Sequence, residues 1–462
     1  VAYFVKLSFF VAFAVVCKIL TRFLQRKRDS PHRPSLTCFL DAVCEIFMFL
    51  RIGPWATPPD INQAMKLAMK ETGLTDWGTK SDLTFAQRYN TVRTVALKKS
   101  KAKFSPIGHY YVLQSLTRRM TGRLQLFEYL KKHPTIQQIK LKSPVFVIGF
   151  PRTGTTFLHE MLGLHEAVRM HYTWEQMDPV PMTDDESLAA QRKDGEERYK
   201  KNLPHFNMLF KHVISDRIQD IHRIAYDEPE ECTTPCGMEL PWSASEIAFN
   251  AFAIDEVLPL GAGDTFKHYR KFLQLLTWSG PDRRDQDFTW MLKCPFHLPY
   301  LDALHAEFPD ATIVWTHRDP ADCIASACSL YETMLCMGME EPSIDKKELG
   351  RAVLHYTDRC LQMAQQTIAR LGDKFKILHI RYQETVKAPK ETCKKVYAKA
   401  NMPVTERYET ALDAYLKNSD EQRRKVKEKN NTKEVHIYRV EDYGLTAEQI
   451  REQFKEYIAK YC

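Results

Sequence analysis

The feature that most constrains the fold of this chain is the segment 143–164, which reads SPVFVIGFPRTGTTFLHEMLGL. Residues 145–148 form a short apolar run that predicts a buried strand. Gly149 and Gly154 then enclose a tight loop, and apolar side chains recur at helical spacing beyond it. Strand, loop and helix in this order direct backbone N–H groups and the positive end of a helix dipole at one point. That arrangement suits a phosphate or another tetrahedral anion.

This loop differs from a Walker A loop. Gly149 and Gly154 have the Walker A spacing, but Thr155 stands where a lysine should follow the second glycine. The nearest cation comes earlier, as Arg152. The difference argues against an ordinary ATPase.

Length and composition predict one large α/β domain with helical additions. The chain has 462 residues, of which 44% are hydrophobic, so it can bury a large core. Its formal net charge of +8 favours anionic ligands or a membrane surface, although the basic residues are widely spread. Basic residues are not interleaved with aromatic ones, so we expect no nucleic-acid partner. The cysteines lack paired zinc-ligand spacing, and we predict no metal site.

The amino-terminal region differs from the rest in composition. Residues 1–20 are apolar except for Lys6, Ser8 and Lys18, and basic residues follow at 26–28. A spanning helix needs about 20 apolar residues, so this one would span only if both lysines extended to the interfaces. We predict a single-pass or interfacial membrane anchor, with a juxtamembrane helix, over residues 1–60. An endomembrane (ER or Golgi) location and the cytosolic face both stay open.

The remainder divides into two predicted regions. Residues 61–140 are helix-rich and almost free of glycine, which predicts a helical cap. Residues 141–462 form the predicted α/β domain. Within it, 288–292 predicts a strand ending at Lys293, and 311–316 predicts another strand just before Arg318. A helix between them makes a parallel crossover, so both cations should lie at the carboxyl edge, where open α/β sheets bind ligands.

Two motifs together resemble a known family. PRTGTT, at 151–156, and WTHRDPADCIAS, at 315–326, resemble the nucleotide-binding motifs of sulfotransferases that use 3′-phosphoadenosine 5′-phosphosulfate (PAPS). The chain looks closest to the broad branch related to protein-tyrosine sulfotransferases, over roughly residue 145 to the carboxyl terminus. The resemblance implies a P-loop-like three-layer fold with a central parallel sheet. It also implies that the 5′-phosphosulfate contacts Arg152, Thr153, Gly154, Thr155 and Thr156.

The resemblance assigns the rest of the donor site as well. Arg318 and Ser326 are eight residues apart, which matches the pair that holds the 3′-phosphate in this family. An arginine fork suits phosphate oxygens, and a serine two helical turns onward could reach the same anion. Tyr382, in IRYQETVKAP, matches the aromatic position beside adenine.

Three residues are the predicted catalytic groups. Glu175 follows Trp174, where the related enzymes have a catalytic glutamate, and a carboxylate there could take the proton of an attacking hydroxyl. His171 is the rival base. Lys293, in LKCPFH, matches a lysine that faces the sulfuryl group, and together with Arg152 it would stabilise charge on the bridging oxygen.

A nearby acidic segment receives a structural interpretation. YDEPEECTTPCGMEL, at 226–240, predicts a helix with Pro229 in an early position. Glu230 and Glu231 would then favour the positive end of that helix dipole. The resembling branch has a similar P-E-E-C segment on its acceptor side, so direct contact with the acceptor is the alternative interpretation.

The sequence therefore predicts transfer of a sulfuryl group from PAPS, as co-substrate, to a hydroxyl or amine acceptor without a metal. The acceptor could be a small molecule, a lipid or a carbohydrate. One alternative is a P-loop-type kinase acting on a small molecule, which the absence of a loop lysine disfavours. Another is a catalytically inactive membrane adaptor that retains the fold.

Overall fold

The fold is built around one five-stranded sheet. The computed structural model describes residues 2–30, 33–55, 57–79, 84–212, 216–242, 244–280, 287–430 and 439–462. In these ranges the strands are β1 (Val145–Ile148), β2 (Val168–Arg169), β3 (Thr289–Lys293), β4 (Thr312–His317) and β5 (Ile377–Arg381).

Helices surround this sheet. Those before β1 are α1 (Ala2–Asp29), α2 (Ser35–Phe49), α3 (Ile61–Thr72), α4 (Thr84–Ser100) and α5 (Pro106–Lys132). Those between β1 and β3 are α6 (Thr155–Leu162), α7 (Thr173–Met177), α8 (Leu188–His212), α9 (Asp216–Ile221), α10 (Thr233–Cys236), α11 (Ala244–Val257) and α12 (Thr265–Ser279). Those after β3 are α13 (Leu301–Glu307), α14 (Pro320–Cys336), α15 (Lys346–Leu371), α16 (Tyr382–Lys387), α17 (Pro389–Ala400), α18 (Glu406–Asn430), α19 (Ala447–Gln453) and α20 (Lys455–Tyr461).

All the strands run parallel, in the order β2-β3-β1-β4-β5. Val147 in the central strand β1 lies opposite Lys293 in β3 and Val314 in β4. The carboxyl ends of β1, β3 and β4 therefore meet at one edge of the sheet. The predicted α/β class with a central parallel sheet is confirmed.

Alternating side chains explain why helices cover both faces. Phe146 and Ile148 point into a core with α11, α12, α14 and α15, whereas Val145 and Val147 point into a second core with α6, α17 and α18. Strands buried on both faces read as continuous apolar runs, as residues 145–148 do. The sheet thus has a helical layer on each side.

The amino-terminal helices contact the rest of the protein through ion pairs. Arg26 lies 3.1 Å from Glu340, and Arg33, just after α1, lies 2.8 Å from the buried Asp41 in α2. No helix in the described residues is long and apolar enough to cross a membrane. The described residues therefore give the predicted membrane-spanning helix no support.

Helices α3, α4 and α5 share a small core of their own. Ile61, Phe85 and Leu116 are completely buried in it. The limits of the predicted regions, 1–60, 61–140 and 141–462, stay a prediction.

Candidate functional site

The loop after β1 is shaped by its two glycines. A Cβ atom at Gly149 would collide with Thr316 of β4, so the loop passes too close to β4 for any side chain at that position. Gly154 has a φ of 86°, a left-handed conformation that glycine adopts readily, and it precedes α6. Because Gly154 lacks a side chain, no side-chain acceptor caps the first amides of α6. The start of this helix is therefore open to an anion.

Two threonines of the loop have different environments. The buried Thr153 hydroxyl lies 2.8 Å from the Phe150 carbonyl and 2.7 Å from Thr316 Oγ1. That side chain fixes the loop to β4. Thr156 is exposed on the first turn of α6, where its hydroxyl can face a ligand.

Arg152 is held across the loop by a neighbouring helix end. Its backbone is left-handed, with a φ of 75°, and its Nη1 donates to the carbonyl of Ile221 at 2.9 Å. Ile221 is the last residue of α9. A strained backbone at a non-glycine residue is frequent at ligand sites, and here it gives the guanidinium a defined position.

Arg318, just after β4, lies against the same loop. Its Nη1 donates to the Arg152 carbonyl at 3.3 Å, and its guanidinium carbon lies 4.4 Å from the centroid of the Tyr382 ring. Tyr382 follows β5 directly and also lies next to Gly154. The structure therefore brings together the ends of β1, β4 and β5, as the sequence predicted for an edge of a parallel sheet.

Two buried polar atoms beside this cluster are unsatisfied. Ser326 is 5% exposed, on α14. Within the described part of the chain, Ser326 Oγ and Arg318 Nε lack a hydrogen-bond partner, although Asp322 lies 3.5 Å from Arg318 Nε as an ion-pair partner. Buried polar atoms are normally hydrogen-bonded, so the Ser326 hydroxyl and a guanidinium N–H whose contact is the ion pair with Asp322 fit a bound anion.

Lys293, the last residue of β3, is almost completely buried and faces the loop. Its Nζ lies 2.6 Å from Glu231 Oε1 and 3.4 Å from Thr156 Oγ1. Burial alone would lower the pKa of Lys293, but the carboxylates of Glu231 and Glu230 raise it above its ordinary value. The lysine is therefore a protonated cation beside the first turn of α6.

The segment carrying Glu231 is extended. Pro229 pairs with Tyr172 in an isolated antiparallel bridge, and the amide of Cys232 donates to the Lys293 carbonyl at 3.1 Å. Helix α10 begins only at Thr233. The prediction that Pro229 starts a helix is therefore wrong, because pairing with neighbouring extended backbone outweighs its preference for a helix start.

Glu175 lies on α7, where both of its oxygens have partners. Oε1 accepts a hydrogen bond from Arg169 at 2.6 Å, and Oε2 accepts one from the amide of Tyr172 at 2.9 Å. These contacts cap α7 and neutralise a buried arginine, which is a structural role. The assignment of Glu175 as the base stays a prediction.

His171, the rival base, is buried below the same segment. Its Nε2 lies 2.9 Å from the Tyr269 hydroxyl, and its Nδ1 lies 2.7 Å from the Gln176 side-chain nitrogen. Burial lowers its pKa to about 4, so the ring is neutral near pH 7. Neither nitrogen is left free for a substrate.

Sequence reasoning missed the partners of the predicted charges. The sequence indicates a helix dipole or direct acceptor contact for Glu231, and neither its ion pair with Lys293 nor the pairing of Arg169 with Glu175 follows from the spacing. Two adjacent acids near a predicted cation were the available signal for Glu231. No group of three or more metal-binding side chains occurs among the residues that the structure describes.

Comparison with known proteins identifies relatives of this chain. A family model described as the sulfotransferase family matches residues 144–406. Two proteins named omega-hydroxy-beta-dihydromenaquinone-9 sulfotransferase Stf3, from Mycobacterium bovis and Mycobacterium tuberculosis, are each 22% identical over 367 residues. Each alignment covers 76% of this chain and 84% of the relative.

Solved structures of similar fold include two mycobacterial proteins. Sulfotransferase STF9 from Mycobacterium avium has a TM-score of 0.67 at 23% identity, over 87% of this chain and 96% of that one. Sulfotransferase STF1 from Mycobacterium tuberculosis has a TM-score of 0.65 at 23% identity, over 86% of this chain and 99% of that one. At this level of identity the similarity concerns the fold.

Proposed function

This chain belongs to the sulfotransferase family, and from that premise we propose that it transfers the sulfuryl group of PAPS to the hydroxyl or amine of an acceptor. One observation carries the choice of donor. Arg318 contacts the loop that follows β1, and Arg318 Nε and the Ser326 hydroxyl on α14 lack hydrogen bonds within the described residues. A nucleotide with a second phosphate, on its 3′ position, would give both atoms a partner.

The proposed donor site spans three strand ends. The first amides of α6, with Arg152, Thr155 and Thr156, would hold the 5′-phosphosulfate. Arg318 and Ser326 would hold the 3′-phosphate. Tyr382, already stacked on the Arg318 guanidinium, would offer its ring to adenine.

Catalysis in this proposal depends on position and charge. PAPS, when bound, supplies an electrophilic sulfur whose transfer needs the attacking and leaving oxygens in line. Lys293 and Arg152 would stabilise the charge that develops on the leaving oxygen. A carboxylate takes the acceptor proton, and Glu175 is the base that family resemblance predicts.

The proposed acceptor is a small lipid-like alcohol. The curated relatives are named for the sulfation of an omega-hydroxy dihydromenaquinone. We extend only the chemical class of that acceptor, an apolar molecule with a terminal hydroxyl, to this chain.

Membrane association is part of the same proposal, as an interfacial contact through α1 and α2. Phe13 and Leu24 in α1, and Phe49 at the end of α2, are exposed apolar side chains. Arg28, with 78% of its side chain exposed, supplies positive charge nearby. Such a surface suits the headgroup region of an anionic bilayer. Sedimentation with phosphatidylserine vesicles tests this, with Phe13→Glu/Leu24→Glu expected to weaken binding and the lack of any wild-type binding contradicting it.

The direct test of the function is a transfer assay. Purified protein is incubated with ³⁵S-labelled PAPS and farnesol, as the apolar primary alcohol, and the product is measured as farnesyl sulfate. We expect labelled product with PAPS and no phosphorylated farnesol with labelled ATP. Phosphoryl transfer from ATP would instead identify a kinase. Binding of 3′-phosphoadenosine 5′-phosphate (PAP), the product of PAPS, without transfer to farnesol, a phenol, an amine or a sugar would identify an inactive adaptor.

A further inference from the structure

Glu231 is a carboxylate that contacts the predicted transfer site through Lys293. It lies 2.6 Å from the ammonium of Lys293, which itself lies 3.4 Å from Thr156 on the first turn of α6. The chain of contacts from Thr156 through Lys293 to Glu231 connects the anion loop directly to a carboxylate. For Glu175, by contrast, the side-chain contacts lead to Arg169 and to the backbone of Tyr172.

Within the described residues only Oε1 of Glu231 has a hydrogen-bond partner, whereas both oxygens of Glu175 are engaged. Oε1 of Glu231 contacts Lys293, and 12% of the side chain is exposed. Glu175 has both oxygens engaged and 9% of its side chain exposed. A base must lie within hydrogen-bond reach of the proton that it removes, so accessibility beside the loop favours Glu231.

The backbone around Glu231 is held in place from both sides. The amide of Glu230 donates to the His171 carbonyl at 3.2 Å, and the amide of Cys232 donates to the Lys293 carbonyl at 3.1 Å. The Gln176 side chain donates to the carbonyl of Glu231 itself at 2.9 Å. Catalytic groups need a supported position of this kind.

The neighbouring acid has a different partner. Glu230 Oε1 accepts a hydrogen bond from the amide of Glu231 at 2.7 Å and lies 3.2 Å from His222 Nε2. Glu230 therefore forms a pair with His222, while Lys293 is the cation facing Glu231. The titratable groups near Glu231 in the described structure are those of these two pairs, Glu230, His222 and Lys293, together with Cys232, Cys294 and Tyr331.

We propose that Glu231 is the general base of the reaction and that Lys293 is its partner until the donor binds. This inference rests on the proposed sulfuryl transfer. Glu175 then acts as a positioning residue, because it caps the amide of Tyr172, whose bridge to Pro229 aligns the segment that carries Glu231.

The proposed transfer forms one bond to sulfur and breaks another. The acceptor oxygen forms a bond to sulfur while its proton passes to a carboxylate oxygen of Glu231. The bond between sulfur and the bridging oxygen breaks, and its electron pair stays on the 5′-phosphate of the leaving nucleotide. Lys293 turns from Glu231 towards that oxygen, where its charge stabilises the departing anion.

Glu231→Gln tests the assignment because glutamine has nearly the same size and shape as glutamate but lacks the carboxylate that would accept the proton. We expect PAP release from PAPS, measured with farnesol and with water alone as acceptor, to fall by about 100-fold or more, since a general base contributes about 10²–10⁴-fold. Loss of the competing carboxylate frees Lys293 for the 5′-phosphate oxygen that both nucleotides carry, so calorimetry should find PAPS and PAP each bound several-fold tighter than by wild type. The acidic limb of the pH–rate profile should also disappear.

Glu175→Gln is the matched control, since glutamine can still accept from the Tyr172 amide. As a positioning residue, Glu175 should give a smaller loss of rate with the acidic limb of the pH profile retained. Circular dichroism and melting temperature verify that both variants are folded.

Two results would overturn the assignment. One is a rate of PAP release by Glu231→Gln that lies within about threefold of the wild-type rate, while Glu175→Gln loses the acidic limb of the pH–rate profile. The other is a wild-type protein that binds PAP but releases no PAP from PAPS above a protein-free control. Failure of the wild type to bind PAP at all would instead contradict the proposed function, so the two failures are distinguishable.

Discussion

The proposed donor and acceptor sides of this site differ in how fully their polar groups are paired within the protein. On the donor side, at the ends of β1 and β4, Arg318 Nε and Ser326 Oγ are buried and lack hydrogen bonds within the described residues. On the acceptor side, at the ends of β2 and β3, Arg169 pairs with Glu175 and Lys293 pairs with Glu231. The proposed donor side therefore retains polar groups that a bound anion could satisfy, and Arg318 Nε has only the ion pair with Asp322 at 3.5 Å. The acceptor side is already neutralised, so an ion pair must open before its groups can react.

This difference predicts where substitutions will act. Changes on the donor side should alter nucleotide affinity, whereas changes on the acceptor side should alter turnover. Each of the following substitutions tests that division.

The largest effect is expected for Lys293→Met. Removing one preorganised cation from a developing charge costs about 10²–10³-fold in turnover. PAP affinity should stay within about threefold of wild type, because the lysine contacts Glu231 in the free protein. Lys271→Met, which removes a half-buried lysine on α12, is the matched control and should retain turnover. A comparable loss of PAP affinity in Lys293→Met would break the division between the two sides.

The next effect is expected for Arg318→Ala. Its guanidinium would form charge-assisted hydrogen bonds to the 3′-phosphate, so calorimetry should find PAP binding weaker by about 1.5–3 kcal/mol. Arg370→Ala, at the exposed end of α15, controls for the loss of one positive charge. An unchanged PAP affinity in Arg318→Ala would show that the 3′-phosphate does not bind at Arg318.

The two sides should also differ in their response to acid. Burial holds the pKa of His171, behind the acceptor side, at about 4, below its ordinary value of 6.5. The unfolded chain binds a proton there as pH falls below 6.5 while the folded chain does not, so stability decreases from that point down to about pH 4. Through His171, the free energy of unfolding falls by about 1.4 kcal/mol for each pH unit in this interval.

Denaturant unfolding at several pH values measures this contribution. His171→Gln should flatten the dependence of the unfolding free energy on pH between about pH 6 and pH 4. Equal slopes for wild type and His171→Gln would show that the buried ring does not resist protonation.

The smallest effect is expected for Ser326→Ala. One hydroxyl hydrogen bond contributes about 0.5–1.5 kcal/mol, so PAP affinity should fall by about this amount. The melting temperature of the free protein should not fall, because Ser326 Oγ has no hydrogen bond to lose within the described structure. Ser329→Ala, one turn along α14, is the control for nucleotide affinity. A destabilised Ser326→Ala variant would mean that the hydroxyl has an internal partner.

The sequence predicted the donor side better than the acceptor side, for a physical reason. The loop after β1, Arg318 and Tyr382 follow strands directly, and parallel strands bring their carboxyl ends together whatever the intervening chain does. Contiguous motifs therefore specified which residues meet. The α/β class followed from the same buried strands.

The acceptor side depends on contacts between distant segments. Glu231 reaches Lys293 across 62 residues of chain, through an extended segment that pairs with Tyr172. Local preference instead indicated a helix at Pro229. The competing pairing could not be inferred from composition or spacing.

The measurement that tests the central claim most directly is the affinity of the wild-type protein for PAP, AMP and ATP by calorimetry. PAP and AMP differ only in the 3′-phosphate, which the account assigns to Arg318 and Ser326. We expect PAP to bind at least about tenfold more tightly than AMP, and ATP to bind weakly. Equal affinity for PAP and AMP, or preferential binding of ATP, would contradict it.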